Sequence, residues 1–195
     1  MNRIFYIMGK SSSGKDSIYI RLLKELDLLP IVLYTTRPMR ENETEGKEYH
    51  FVDKECFDSM FASGEVIEER IYNTVYGEWI YFTSEKSIHL DSGNCIGIGT
   101  LESYLKIRKK FGDAVVPIYI EVEDGERIIR AVHREQQQPK PKYTEMCRRF
   151  IADSEDFSEE KIKEAEIKKR FSNSTDIENC ITEIKEYIKS FEEQN

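Results

Sequence analysis

Nine residues near the beginning of the chain, Gly9-Lys10-Ser11-Ser12-Ser13-Gly14-Lys15-Asp16-Ser17, restrict its fold more than any other stretch. They follow the apolar run Ile4-Phe5-Tyr6-Ile7-Met8, which has the length and unbroken hydrophobicity of a parallel strand buried on both faces. After them, Ile18, Leu22, Leu23 and Leu26 recur at helical spacing. Strand, glycine-bounded loop and helix in this order form a P-loop. Backbone N–H groups, a helix N-terminus and a lysine there converge on phosphate. The pattern G-x-x-x-x-G-K-[ST] holds through Lys15 and departs at Asp16, where a hydroxyl would otherwise contact Mg²⁺. A glycine–serine turn without a ligand is the alternative, and the position between strand and helix argues against it. Gly9 to Ser17 are therefore candidate nucleotide-phosphate ligands, with Lys15 reaching the terminal phosphates.

A chain of 195 residues suits one globular domain with a substantial core, or one domain carrying inserted lobes. The net charge of −8 argues against general nucleic-acid binding, which needs a concentrated basic face. Cys56, Cys95, Cys147 and Cys180 are far apart and contain no C-x-x-C pair, so they read as inert thiols, without a zinc site or disulfide framework. Met1-Asn2-Arg3 leads directly into the first strand with no secretory h-region, and no apolar run approaches the ~18–20 residues that span a bilayer. The expectation is a cytoplasmic protein with no membrane or nucleic-acid partner.

Along the chain, Ile31-Val32-Leu33 reads as a short strand, and Glu41 to Glu48 as a polar loop before Tyr49-His50-Phe51-Val52. A helix is expected over 53–61, with strands over 66–72 and 79–82. Residues 34–83 then form an α+β lobe inserted into a larger α/β pattern. That pattern resumes with a helix near 84–91, a strand at Cys95–Ile98, a helix over 101–111 and a strand over 118–122. Pro117 cannot donate to a ladder and is placed at this strand's start. A helix through Ile128, Ile129 and Val132 stops at Gln136-Gln137-Gln138-Pro139-Lys140-Pro141. A charged helix over 143–169 follows, then a short strand at Phe171-Ser172-Asn173. The last helix carries Ile177, Ile181, Ile184, Ile188 and Phe191 on one face, with Thr175 and Glu178 as a capping box. Alternating strands and helices after a P-loop imply an α/β fold. A parallel sheet is flanked by helices, and ligands lie at the strands' carboxyl ends.

Four further clusters carry chemistry. Thr36-Arg37-Pro38-Met39-Arg40 sets two arginines three apart after a strand, and their planar forks suit phosphate. Gly46-Lys47-Glu48-Tyr49-His50-Phe51-Val52 comes next, then Val66-Ile67-Glu68-Glu69 followed by Val75-Tyr76-Gly77. Arg130 and Arg134 stand one helical turn apart, with Arg149 across the proline-broken loop. Each cluster alone could be solvated surface.

Together they resemble the guanylate kinase family: T-T-R-x-x-R, G-x-x-Y-x-F-V, I-E and Y-G occur in that family's order and roughly its spacing, from residue 4 to about 190, including Asn173. The resemblance implies a P-loop core (1–33, 84–134 and 143–195), an inserted lobe at 34–83 that binds a nucleoside monophosphate, and a helical lid at about 134–149. It implies transfer of the γ-phosphoryl group of ATP to GMP or dGMP with Mg²⁺. Residues 9–17 would hold ATP, and Arg37, Arg40, Tyr49 and Tyr76 would grip the acceptor phosphate. Glu68 would read guanine N1–H and N2–H, while Lys15, Arg130, Arg134 and Arg149 would act on the transferred group. A non-catalytic guanylate-kinase-like binding module and a P-loop kinase for another small acceptor are the alternatives.

Three departures bear on this reading. Leu33 stands at the family's serine before the first arginine, and Gly97-Ile98-Gly99 stands at its D-x-D. Glu78 follows the Y-G pair where a Ser or Thr belongs, unless 78–82 is an insertion and Thr83 takes that role. Asp16 is either a displaced Mg²⁺ ligand or a cap of the first helix. Guanine nucleotides remain the expected acceptors, read more weakly because the hydroxyl donors for guanine O6 are missing.

Overall fold

A computed structural model describes residues 1–74 and 77–192. Strand β1 (Ile4–Met8) is the centre of the molecule, and each of its five side chains is buried. Because side chains alternate across a strand, Ile4, Tyr6 and Met8 face one layer, and Phe5 and Ile7 the other. β1 lies in a five-stranded sheet of order β2-β7-β1-β8-β9, formed by Leu29–Pro30, Cys95–Gly99, β1, Val115–Glu121 and Arg170–Ser172. Every pairing in it is parallel. The carboxyl ends of the strands therefore share one edge, where the P-loop, Thr100, Asp124 and Asn173 all emerge.

Helices cover both faces. Helix α1 (Lys15–Glu25) packs Ile18 and Leu22 against Phe5 and Ile7, beside Ile181, Ile184 and Ile188 of the last helix. On the other face Leu101, Tyr104 and Ile107, from a helix over Leu101–Phe111, meet Ile4, Tyr6 and Met8. Between β2 and β7 the chain builds a second sheet of order β4-β3-β6-β5, from His50–Phe51, Tyr34–Thr35, Gly77–Ser84 and Val66–Thr74. Its own core is Phe57, Met60, Ile80 and Phe82, with helix α2 (Lys54–Ala62) capped by the Asp53 carboxylate on Cys56 N–H at 2.8 Å.

Several elements differ from the sequence reading. The strand expected at 31–33 is β2 at Leu29–Pro30. Ile31 N–H still bonds Ile96 O at 2.8 Å, but Leu33 O already accepts His50 N–H as the chain enters the second sheet. The helix expected near 84–91 is a single 3₁₀ turn, Glu85–Ser87, after which Ile88 and Leu90 pack on the core. Pro117 lies inside β8, opposite Tyr6; β9 pairs with β8 only from Tyr119 onward, so the flank beside Pro117 has no strand to bond.

Helix α4 spans Asp124–Gln136 and α5 Tyr143–Asp156. The charged helix expected to run to 169 ends there. Phe157 turns inward to stack on Tyr119, and Ser158 caps a new helix, Glu159–Glu164. The last helix, Ile177–Glu192, is entered by the Asp176 carboxylate on Glu178 N–H at 2.9 Å, in place of the capping box expected at Thr175. Glu178 turns outward to Arg21.

Candidate active site

The P-loop joins β1 to α1 through a turn closed by Ser13 N–H on Lys10 O. Gly14 has φ 85°, and a Cβ there would collide with the Asn173 amide. That amide donates to Ser13 O at 2.8 Å, so Asn173 braces the loop from the end of β9. Helix α1 starts at Gly14 with no side-chain cap, which leaves its first N–H groups facing the loop. The buried Ser12 and Ser13 hydroxyls have no hydrogen-bond partner. Uncapped amides, partnerless hydroxyls and a lysine at one helix N-terminus form an anion cradle.

Asp16 does not cap α1. Its carboxylate is exposed and lies 3.4 Å from Lys15 Nζ. Among the described residues no three His, Cys, Asp or Glu side chains converge as a metal site. Beside Lys15 the chain offers the Asp16 carboxylate as a hard oxygen. That fits Mg²⁺, which keeps water and phosphate oxygens as its other ligands.

A second anion grip lies in the other sheet. Arg37 is 3% exposed, and its guanidinium forms a two-pronged pair with Glu43. Its Nε donates to Tyr81 Oη at 3.0 Å, and its charge sits over the Tyr49 and Phe51 rings. The Glu43 carboxylate also accepts Arg40 N–H at 2.9 Å, and the Arg37 bonds hold its carboxyl down at about 2. Arg40 itself is exposed on the loop. Tyr49 and Tyr81 stand edge to face at 5.5 Å. A cleft of about 420 Å³ opens in front of them, lined by Leu33, Tyr49, Arg70, Tyr72, Tyr81 and Arg149 among others. Tyr76 lies outside the described residues. Tyr81 and Glu43 were missed in the sequence. Tyr81 is hidden in an alternating strand four residues beyond the Y-G pair, and Glu43 in an acidic run.

Glu68 is 2% exposed and surrounded by donors. Thr83 Oγ1 donates to its Oε1 at 2.7 Å, and Ser103 Oγ to its Oε2 at 3.1 Å. The Ser103 hydroxyl also lies 3.0 Å from that of Thr100. The Tyr6 ring lies flat over β7, where a Cβ at Gly97 would come within 2.8 Å of it and one at Gly99 would strike its oxygen. A phenol thus fills the space beside these glycines. Burial, followed by the charge of Glu68, raises the Tyr6 pKa far above its ordinary value.

The three arginines paired with Lys15 in the sequence reading do not converge. Arg134 and Arg149 line a crevice with Ser11 and Ser12 of the P-loop. Arg149 also lines the cleft in front of Tyr49 and Tyr81, and its Nε rests on Glu145 at 2.9 Å. Arg130 is drawn elsewhere, donating to Glu126 at 3.0 Å and to Asn173 O at 2.8 Å. An unforeseen arginine takes the inner position: Arg127, 1% exposed, donates to Ser11 O at 3.0 Å and to Asp153 at 3.0 Å. Asp153 accepts Ser11 N–H at 2.7 Å, so one ion pair from α4 and α5 holds both backbone groups of a P-loop residue, and Asp124 gives Arg127 a second carboxylate. Helical periodicity carries the signal, since Arg127 shares the buried face of α4 with Ala131.

The family model described as guanylate kinase matches residues 1–191. The chain is 33% identical over 129 residues to a guanylate kinase of Mycoplasma pneumoniae, covering 65% of this chain and 54% of that protein. It is 33% identical over 121 residues to one of Thermotoga maritima, covering 60% and 56%. The chain thus spans about half the length of these curated relatives. In fold it is similar to a crystal structure of guanylate kinase from Anaplasma phagocytophilum, with TM-score 0.64, 22% identity, and coverage of 97% of this chain and 85% of that one.

Proposed function

The chain belongs to the guanylate kinase family, and from that premise we propose that it transfers the γ-phosphoryl group of ATP to GMP or dGMP. The observation that carries this reading is a pair of anion grips with one shared arginine. Lys15 and the open N-terminus of α1 form the first, and Arg37 with Tyr49 and Tyr81 the second. Arg149 lines the space beside both. ATP phosphates would occupy residues 9–17, and the acceptor phosphate would meet Arg37, Arg40, Tyr49 and Tyr81.

An ionised acceptor oxygen then attacks the γ-phosphorus, the bond from phosphorus to the β–γ bridging oxygen breaks, and ADP leaves. No general base is required, because the attacking oxygen carries no proton. The work of the chain is alignment and neutralisation of charge on the transferred group by Lys15, Arg134 and Arg149. Arg130 supports this from the α4 side by holding the Asn173–Ser174 carbonyls behind the P-loop. Mg²⁺, when bound, neutralises charge on the donor phosphates, and Asp16 is the residue placed to hold it, directly or through water. The residues flanking the cradle, including the 134–149 segment as a lid, work without a membrane or nucleic acid. A cytoplasmic setting suits a nucleotide substrate.

Thermal unfolding with ATP, with and without Mg²⁺, tests the donor side. ATP should raise the midpoint, and Mg²⁺ should enlarge the shift for the native chain but much less for Asp16→Asn. No response to ATP would favour a binding module that lacks kinase chemistry. An equal Mg²⁺ response in both proteins would remove Asp16 from the metal site.

A further inference from the structure

Reading guanine requires acceptors for N1–H and N2–H and a donor for O6. Glu68 supplies the acceptors, but the hydroxyls around it are all turned toward it. A hydroxyl has one proton to donate. Thr83 gives its proton to Glu68 Oε1, and Ser103 gives its own to Oε2. Because Ser103 has donated, the Thr100 hydroxyl, 3.0 Å away, points its proton at Ser103. Thr83, the residue expected to replace the missing donor, is thus occupied, and Leu33 has nothing to give. Glu78 is exposed, opposite Asn73 toward the far end of the hairpin.

One donor beside Glu68 is uncommitted. Arg70, on β5 two residues after Glu68, brings Nε to 3.4 Å from Glu68 Oε2, an ion pair without hydrogen-bond geometry. That buried Nε has no hydrogen-bond partner. The side chain is about a quarter exposed and lines the acceptor-side cleft with Tyr49, Tyr81 and Arg149. A guanidinium carries five N–H donors and no acceptor, so it can face a carboxylate and a base oxygen together.

Resting on the kinase reading above, we propose that Arg70 is the specificity-determining donor to the 6-oxo group of the acceptor purine, working as a pair with Glu68. The pair selects 6-oxopurines: O6 receives Arg70, whereas the 6-amino group of adenine would set donor against donor.

The test is steady-state kinetics of Arg70→Met, which keeps the apolar stem, with GMP and IMP as acceptors. Both nucleotides carry O6 and N1–H, and only GMP has the 2-amino group. The expected result is an acceptor KM raised about tenfold or more for GMP and IMP alike, from loss of a charge-assisted bond, with the KM for ATP unchanged. Arg70→Lys should recover part of the loss. Unchanged acceptor KM values would overturn the proposal. So would a loss much greater for GMP than for IMP, because Arg70 would then act only by holding Glu68 for the 2-amino group. Failure of the native chain to phosphorylate either nucleotide would instead remove the kinase reading on which the proposal rests.

Discussion

At the scale of single residues, Lys15 bears the heaviest chemical demand. Its ammonium group sits at the end of the cradle, and its nearest anion is the exposed Asp16 carboxylate at 3.4 Å. A partly exposed lysine with one loose partner contributes little to stability, whereas a charge aimed at a transferring phosphoryl group typically contributes about 3 kcal/mol or more to the transition state. Lys15→Ala should therefore lower kcat on the order of a hundredfold or more while the unfolding midpoint hardly changes. Near-native turnover in that variant would contradict the P-loop assignment. Residues of this kind were legible in the sequence because spacing alone defines them. Glycine at 14 and lysine at 15 follow a strand, and arginines at 37 and 40 follow a threonine pair. Glu43 was not legible, and of Arg127 only the helical face could be read. Both are charged residues in charged surroundings, and only the folded chain shows that one is locked to Arg37 and the other set against the P-loop.

At the scale of elements, the β5–β6 hairpin decides which tyrosine stands beside Arg37. The strands pair in antiparallel register from Glu68–Thr83 to Thr74–Gly77. That register carries Tyr81 to Arg37 and places Thr83 against Glu68. The sequence offered Y-G at 76–77 as the match, since a local pattern cannot reveal which residue strand pairing brings to Arg37. The side chains on one face of a strand pair follow from register, and a register is a long-range property. Tyr81→Phe should raise the acceptor KM about threefold to tenfold through loss of a phenol hydrogen bond, on the order of 1 kcal/mol, and leave ATP affinity alone. An unchanged KM would return the role to Tyr76. The 3₁₀ turn at 85–87 and the break at Phe157 were missed for a related reason. Helical spacing was present at both, but tertiary burial of Ile88, Leu90 and Phe157 on the core decided the path of the chain.

At the scale of the whole molecule, the two sheets are linked by Ser103, which donates to Glu68, and by Arg149, which lines the cleft beside Tyr49 and Tyr81. The parallel order around β1 was readable from an apolar run before a glycine loop. The relation between the helices beyond Asp124 and the P-loop was not, because it depends on the Arg127–Asp153 pair gripping Ser11. An arginine buried this deeply is costly to leave without partners, and Asp153 supplies one together with Asp124. The pair therefore fixes α4 and α5, with Arg134 and Arg149, against the phosphate cradle. If that frame serves phosphoryl transfer to a guanine nucleotide, a coupled assay of ADP release with ATP, Mg²⁺ and a panel of nucleoside monophosphates reads it most directly. GMP or dGMP should give the highest kcat/KM in the panel. Greater efficiency with AMP, CMP or UMP, or no ADP release with any acceptor, would contradict it.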